Sequence, residues 1–503
     1  MLQNIKTAIK NSIIYGIGNL SAKLVGFILL PLYTSHLSVS DYGALSVLEI
    51  SAQLIISVFG LALYQAFDRW YWDPELKKKQ KSVFFTVFVF LILISGLVTL
   101  ALTIESRALS RLLFKETRFA GLIKLMVYAS ALQIVSVLPL TLMKLQSRSI
   151  FYTVSNLIQF TVNLVFTILF IAVLNQNIEG IYQAQIIGST VYLIILSRYI
   201  IRNIDFKFEL IVLREMLLYS FPLMLSSISG IILSIADRYC INFITGLSEL
   251  GSYSLGYKIA NSIKVLLVTS VQLSINPLIY QMMDKPGNKR FYSKIMLYFC
   301  FGVLFCVLGL SLFSKEIVYL LASSNKEYWD AYKVIPLLSF AVLFGMLKDT
   351  SLIGLNLSKK TKIIGLVTIA ISILNVILNV VLISLLHSVG ASIAALVSNI
   401  LFFWIIYHYA QKYYYVPYEI KKIVILITLG IGIYGISLIN FPIPSLFKYL
   451  LKFCLIFSMP VILYFLRFYE NAELEVIKGT WRKWRNPHNW KKNIANIKFG
   501  NKY

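Results

Sequence analysis

The sequence predicts an all-α integral membrane protein with about fourteen transmembrane helices. Of its 503 residues 58% are hydrophobic and only 14% are charged, and the mean hydropathy is +0.76. Apolar stretches of about 20 residues, the helical length that crosses some 30 Å of hydrocarbon, recur along the whole chain. The loops between them are short and leave no room for a soluble catalytic domain. This composition is typical of a multi-pass membrane protein.

An internal repeat predicts how these helices are grouped. Leu37-Ser38 returns 210 positions later as Leu247-Ser248, and Gly43-Ala44-Leu45-Ser46 returns 208 positions later as Gly251-Ser252-Tyr253-Ser254. Gly180 and Ala184 match Gly390 and Ala394 at an offset of 210, and Leu145 matches Leu357 at 212. We therefore expect two six-helix bundles, residues 1–205 and 206–412, related by a pseudo-two-fold axis along the membrane normal. Residues 413–467 would hold two extra helices, and 468–503 a basic and aromatic cytoplasmic tail.

The net charge of +25 is explained by the side of the membrane on which the cations lie. Lys and Arg cluster in the loops that face inward when the N-terminus is cytoplasmic, which is the positive-inside rule rather than a nucleic-acid footprint. Both termini are then cytoplasmic, and nucleic acid is not an expected partner. Lys6 and Lys10 precede a first span too long for a cleavable signal peptide, so that span is expected to be an uncleaved anchor. The four cysteines show no metal-binding spacing.

Two polar stripes mark the first predicted helical hairpin, residues 11–34 and 44–67. Asn11, Tyr15, Asn19 and Lys23 follow one another at i, i+4 steps, and Glu49, Gln53 and Ser57 do the same on the second helix. Residues at that spacing share one helical face. These faces should meet protein or a water-filled cavity rather than lipid.

The same stretch resembles a known family. The run from Asn19 to Thr34, followed by Leu37-Ser38 and Asp41-Tyr42-Gly43, is similar to the N-terminal signature of the polysaccharide transporter family. These are the Wzx-type O-antigen and capsule flippases of the multidrug/oligosaccharidyl-lipid/polysaccharide (MOP) exporter superfamily. Further similarity lies in Asp237-Arg238 with the following Gly251–Ser254 pattern, and in Asn375 and Asn379 ahead of Gly390-Ala391.

The resemblance implies an activity and a location. The chain would move an undecaprenyl-diphosphate-linked oligosaccharide from the inner to the outer leaflet of a bacterial or archaeal cytoplasmic membrane. Two six-helix bundles in a V shape would open alternately to the two sides. The implied partners are the lipid-linked oligosaccharide, membrane lipids, a polysaccharide polymerase and a chain-length regulator. No cofactor is expected, and coupling to H⁺ or Na⁺ is left open.

Charged residues inside the predicted spans are the candidate site, because intramembrane charges are costly and usually face a cavity or a partner. The expected substrate cavity consists of Asn19, Lys23, Lys258, Asn261, Lys264 and Lys348. The expected ion-pair or coupling residues are Glu49, Asp237, Arg238 and Asp349. Lys23 would meet the lipid diphosphate, and its structural alternative is an ion pair with Glu49, itself the candidate for a proton-linked switch. Asp237-Arg238 could instead be a helix-end pair, and Lys348-Asp349 a pair on one helix surface.

Two other function classes compete with the flippase. Another transporter of the superfamily, such as a drug/cation antiporter or a different lipid-precursor flippase, would share the fold. A cation antiporter should line its cavity with acids, whereas the intramembrane charges here are mainly basic. A membrane polysaccharide polymerase or lipid-linked glycosyltransferase would need catalytic residues on large outer loops, and the loops are short. No nucleophile–base pair or phosphate-binding glycine loop occurs, so we do not expect an enzyme.

Overall fold

The computed structural model describes residues 26–439, 444–471, 473–475 and 479. Most of the first predicted span, with Asn19 and Lys23, and most of the C-terminal tail lie outside these residues. Every regular element in the described part is helical, as the composition predicts.

The helices are numbered here in chain order. The first nine are α1 Leu30–His36, α2 Val39–Phe59, α3 Leu63–Trp70, α4 Gln80–Ile104, α5 Ser106–Phe114, α6 Ala120–Leu145, α7 Ser149–Ile168, α8 Ile178–Arg202 and α9 Leu210–Ile244. The others are α10 Leu247–Ile263, α11 Thr269–Gln281, α12 Asn288–Leu312, α13 Ser314–Leu321, α14 Ile335–Leu357, α15 Thr361–Tyr413, α16 Ile420–Ser437 and α17 Ser445–Phe465. π-helical segments at Leu169–Val173 and Lys264–Val268 extend α7 and join α10 to α11, and 3₁₀ turns lie at Pro74–Leu76 and Lys326–Lys333.

Twelve helical stretches in the described residues are long and apolar enough to cross a membrane. One of them, α15, is 53 residues long and consists of two helices joined at His387, whose φ of 55° lies in the left-handed region. A Cβ on Gly390 would lie 2.0 Å from the carbonyl oxygen of Leu382, so the chain doubles back tightly there. Counting α15 twice gives thirteen spans, and the first predicted span lies mainly outside the described residues.

The backbone repeats the same irregularities in the two predicted segments, which we call the first half (residues 1–205) and the second half (206–412). Ser147 and Lys359 both have left-handed φ values, 55° and 57°, just after α6 and α14. Asn175 and His387 do so at the turns between α7 and α8 and within α15, at φ 49° and 55°. Each pair is 212 positions apart, the offset of Leu145 and Leu357. These matches support the proposed division into two halves.

The described helices belong to two compact units, one ending at Tyr418 and the other beginning at Glu419. The second unit contains α16 and α17, the two extra helices that the sequence predicts. The largest buried apolar cluster of the first unit joins both halves, with Tyr42, Leu45 and Leu48 of α2 packed beside Leu250 and Tyr253 of α10. This cluster fixes how the two halves meet next to the candidate site.

Candidate functional site

A cavity of about 620 Å³, which we call the inter-half cavity, is lined by both halves. The first half contributes polar side chains from α1, α2, α7 and α8, and the second half contributes polar side chains from α9, α10, the π-helical segment Lys264–Val268 and the start of α11. The polar and charged members among the described residues are Tyr33, Glu49, Gln53, Asn163, Thr167, Gln185, Ser234, Arg238, Tyr257, Lys258, Asn261, Ser262, Lys264 and Thr269. The polar stripe predicted on α2 therefore faces this cavity through Glu49 and Gln53.

An ion pair joins the two halves at this cavity. The Nζ of Lys258 lies 3.0 Å from Oε1 of Glu49, and both side chains are about one-third exposed. One helical turn away, the Ser254 hydroxyl donates to the Ser46 hydroxyl at 2.8 Å. Ser46 and Glu49 share a face of α2, and Ser254 and Lys258 share a face of α10. The two contacts therefore form one polar interface between these helices.

Arg238 is a second cation of the inter-half cavity, and contacts with several neighbouring residues hold its guanidinium in place. Its side chain is 10% exposed. The guanidinium donates to the Ser234 carbonyl at 2.5 Å and lies 4.4 Å from the ring centroid of Tyr257. Its Nε is 3.7 Å from Oδ1 of Asp237, which is an ion pair without a direct hydrogen bond. Asp237 in turn accepts a 2.5 Å hydrogen bond from Tyr253. Because several partners hold this buried guanidinium, Arg238 contributes a positive charge at a fixed position in the cavity wall.

A smaller cavity of about 290 Å³, the second-half cavity, lies between α9, α10, α14 and α15. Its charged pair comes from adjacent residues of one helix, since Lys348 Nζ lies 2.5 Å from Asp349 Oδ1. Gln272 donates to Asp349 at 3.0 Å, and Lys348 sits 4.9 Å from the ring centroid of Phe402. All charges in the described lining of this cavity therefore belong to the second half.

The two cavities share one wall, made of Ser234, Tyr257, Asn261 and Lys264. Lys264 begins the π-helical segment Lys264–Val268, in the middle of the span formed by α10 and α11. Single π turns are often found at functional sites, because the extra residue redirects side chains locally.

The cavities differ in net charge. The described lining of the inter-half cavity holds three cations, Arg238, Lys258 and Lys264, and one carboxylate, Glu49, which gives +2. Asp237, the ion-pair partner of Arg238 just outside this lining, lowers the local charge to +1. The second-half cavity has Lys264 and Lys348 against Asp237 and Asp349, and its lining is neutral. An anionic group is therefore favoured in the inter-half cavity.

The N-terminal ends of α2 and α10 close against each other by direct backbone contact. A Cβ on Gly43 would lie 2.0 Å from the carbonyl oxygen of Leu247, and a Cβ on Gly251 would lie 2.0 Å from that of Val39. Gly43 thus packs on the backbone of Leu247, four residues before Gly251, and Gly251 packs on the backbone of Val39, four residues before Gly43. Only glycine permits so close an approach. We call this contact the glycine seam.

Hydrogen bonds outside the spans reinforce this contact. Tyr328 of the second half donates to the carbonyl oxygens of Leu37 and Ser38 at 3.2 and 3.1 Å. Burial raises the pKa of Tyr328, so its hydroxyl stays protonated and able to donate. Thr34 donates to the carbonyl of Leu321 at 2.5 Å. In this conformation the two halves are joined at the end that the sequence places outside the cell.

Eight of the ten residues proposed from the sequence line one or both cavities. Glu49, Arg238 and Lys258 line the inter-half cavity; Asp237, Lys348 and Asp349 line the second-half cavity; Asn261 and Lys264 line both. Asn19 and Lys23 lie outside the described residues, so the Lys23 contacts stay predictions. In the described part of the chain the cation on Glu49 is Lys258.

Sequence reasoning did not single out Tyr253, Tyr257 or Gln272, which hold Asp237, Arg238 and Asp349. A signal existed for two of them, because Tyr253, Tyr257 and Asn261 follow one another at i, i+4 steps on the face that lines the cavities. Among the described residues no group of His, Cys, Asp or Glu is arranged to hold a metal ion.

Comparisons with known proteins identify the family. Residues 8–283, more than half of the chain, match the model of the family described as "Polysaccharide biosynthesis protein". The chain is 24% identical over 286 residues to "Lsg locus putative protein 1" of Haemophilus influenzae, a match that covers 54% of this chain and 66% of that protein, slightly under two thirds.

Solved structures agree on the fold. The structure described as "Lipid II flippase MurJ, inward closed conformation" matches with a TM-score of 0.72 at 14% identity, over 91% of this chain and all of that one. An inward-facing multidrug resistance MATE family transporter of the MOP superfamily matches with a TM-score of 0.61 at 13% identity, over 80% of this chain and 94% of that one. The predicted all-helical fold is thus confirmed, and it is the fold of these two structures. The chain is a membrane protein of the polysaccharide biosynthesis protein family, and its fold matches those of the MurJ and MATE structures.

Proposed function

We propose that this protein is a flippase that carries an undecaprenyl-diphosphate-linked oligosaccharide across the cytoplasmic membrane, for O-antigen, capsule or exopolysaccharide synthesis. The inter-half cavity would receive the diphosphate headgroup. A polysaccharide polymerase and a chain-length regulator are the proposed downstream partners, and coupling to H⁺ or Na⁺ is left open.

The observation that carries the proposal is an excess of cations in a cavity whose ion pair spans the two halves. The net charge is +2 for its described lining and +1 when Asp237 beside Arg238 is counted. A diphosphate brings negative charges and strong acceptor oxygens, which lysine and arginine bind by charge-assisted hydrogen bonds. Arg238 is fixed by Ser234 and Tyr257 and would act as a preformed electrostatic wall. Lys258 and Lys264 are the cations that would reorient toward the headgroup.

Competition for Lys258 would link substrate to conformation. In the present arrangement Lys258 neutralises Glu49 across the polar interface between α2 and α10. A diphosphate that takes Lys258 leaves Glu49 without its cation, and this removes one of the contacts that hold α2 against α10. The glycine seam could then separate and open the cavity to the opposite side. Lys23 and Asn19, on the polar face of the first predicted span, would add to the same headgroup site.

A different lipid-precursor flippase is the second candidate, because the chain shares its fold with a structure described as a lipid II flippase. Both candidates need an anionic headgroup in the inter-half cavity. A cation antiporter fits this lining less well, because its described carboxylate is outnumbered by cations.

The test is transport by the purified full chain in liposomes that contain a fluorescent undecaprenyl-diphosphate oligosaccharide. The fraction of label that a membrane-impermeant quencher reaches reports translocation. We expect the wild-type chain to increase the rate and Lys258→Gln to reduce it about tenfold or more, since a hydrogen bond to a charged group contributes roughly 1.5–3 kcal/mol. Equal transport of a neutral-headgroup lipid, or transport of a cationic drug instead, would contradict the proposal.

A further inference from the structure

A third cavity, of about 990 Å³, lies wholly in the first half and is separate from the two described above. It is formed by the loop between α3 and α4, the turn between α6 and α7, and the end of α8. Its rim carries Lys77, Lys81, Arg148, Arg198 and Arg202. We call it the basic pocket. All three chain segments lie on the side that the sequence predicts to be cytoplasmic.

A network of neutral hydrogen bonds forms the floor of the basic pocket. The amide of Gln146 donates to Asn203 Oδ1 at 2.9 Å and to the Tyr71 hydroxyl at 3.3 Å, and it accepts from the Tyr199 hydroxyl at 2.9 Å. Asn203 also donates to the Tyr199 carbonyl at 2.8 Å. Within the described residues no acceptor for the hydroxyl proton of Tyr71 is recorded, so that proton is available to an anion in the pocket.

Aromatic and backbone contacts hold the cations around this floor. The Arg148 guanidinium lies 5.6 Å from the ring centroid of Tyr199, a cation–π contact that orients it. Ser147, just before it, adopts a left-handed φ of 55°, and the Arg148 amide donates to the Met143 carbonyl at 2.9 Å. Trp72 adds an exposed aromatic face to the wall. The turn that presents Arg148 is therefore fixed by its backbone hydrogen bonds.

Its charge distinguishes this pocket from the other cavities. Among the described residues, five cations line it and no acidic residue does. In the described part of the chain, no ion pair links any of these five side chains to a carboxylate, whereas the neighbouring Lys79 is paired with Glu209 at 3.0 Å. The positive-inside rule accounts for cations on this side, but it does not require five of them to converge on one polar floor.

We propose that the basic pocket binds the phosphate headgroup of an anionic lipid from the cytoplasmic leaflet. The arginines and lysines would surround the phosphate oxygens, Tyr71 would donate from the floor, and the acyl chains would remain in the adjoining bilayer. Basic pockets between helix ends at the cytoplasmic surface are suited to such headgroups. The leaflet follows from the predicted orientation, and the site is independent of the flippase proposal because the inter-half cavity contributes none of its residues.

The test measures binding of fluorescent cardiolipin to the purified full chain in a zwitterionic detergent. The structure offers a matched control, because Arg148 and Arg202 correspond to Lys360 and Lys412 of the second half, at offsets of 212 and 210. We expect R148Q/R202Q to weaken cardiolipin binding about tenfold. K360Q/K412Q removes the same charge from the matching helix ends, and we expect it to change binding less than about twofold.

Further measurements distinguish lipid binding at this pocket from misfolding and from a general effect of charge. Thermal unfolding in detergent identifies a misfolded variant, and K77Q/K81Q is a second pair on a different segment that should weaken binding as well. Phosphatidylglycerol should compete and phosphatidylcholine should not. Equal losses in R148Q/R202Q and K360Q/K412Q would overturn the proposal by showing a general charge effect. Full competition by inorganic diphosphate at the lipid's concentration would overturn it in favour of a soluble phosphate compound.

Discussion

The inter-half cavity and the second-half cavity share a wall but differ in where their charges come from. Glu49 and Lys258 are on helices of different halves, whereas Lys348 and Asp349 are neighbours on α14. Relative movement of the halves must break the first pair and leaves the second intact. A charge pair senses a conformational change only when its members belong to the parts that move.

The largest effect on transport is expected when a disulfide joins α2 to α10 at the polar interface beside the inter-half cavity. Ser46→Cys with Ser254→Cys, in a chain whose four native cysteines are replaced by serine, places two thiols where the hydroxyl oxygens are 2.8 Å apart. The disulfide should abolish transport of lipid-linked oligosaccharide in the liposome assay, and a reductant should restore it. Full activity of the oxidised protein would show that α2 and α10 do not separate at Ser46 and Ser254 during transport.

Lys258→Gln should have the next largest effect, about a tenfold or greater loss of transport at unchanged protein levels, because a hydrogen bond to a charged group contributes roughly 1.5–3 kcal/mol. It removes a cation from the headgroup site and leaves Glu49 without its described partner. The swap Glu49→Lys with Lys258→Glu restores both the pair and the cavity charge, so it should recover much of the activity. A swap as inactive as the single variant would argue that Lys258 acts only through its position.

Gly43→Ala should weaken closure of the glycine seam severalfold. Its Cβ would lie 2.0 Å from the Leu247 carbonyl, and neither backbone can yield easily. The measurement is the yield of the Ser46→Cys/Ser254→Cys disulfide, which should fall. Gly309→Ala is the matched control, because its Cβ would meet nothing within 4 Å. An equal fall in both variants would point to general destabilisation instead.

Lys348→Gln should have the smallest effect, a change in transport of less than about twofold, because Lys348 and Asp349 belong to one helix and Gln272 still donates to Asp349. The same substitution chemistry as in Lys258→Gln makes it the direct comparison of the two cavities. A loss as large as that of Lys258→Gln would place the headgroup in the second-half cavity.

Helical periodicity was enough to predict the fold class and which faces are polar. Apolar length predicts the spans, and the left-handed residues Asn175 and His387 lie where the chain turns between two of them. The i, i+4 stripe on α2 correctly places Glu49 and Gln53 on one face, and that face lines a cavity.

Partners across helices were not predictable from the same information. Sequence reasoning offered Lys23, which lies outside the described residues, as a cation for Glu49. Within the described residues Glu49 is paired with Lys258, 209 residues away, which the sequence did not predict. One sequence shows which face of a helix is polar but not which helix lies opposite it. The basic pocket was missed for a related reason, because the cations were attributed to membrane topology and their convergence on Gln146 and Tyr71 depends on tertiary structure.

The glycine seam has a consequence for the origin of the chain. Val39 and Gly43 contact Gly251 and Leu247 reciprocally at an offset of 208, the pattern of a symmetric dimer interface in which residue i touches j and j touches i. In two identical subunits a glutamate next to such an axis would face its own copy and repel it. Here the position 208 after Glu49 is Tyr257, and Lys258 follows it. Duplication into a single chain permits this asymmetry, since only then can one copy acquire a cation that the other lacks.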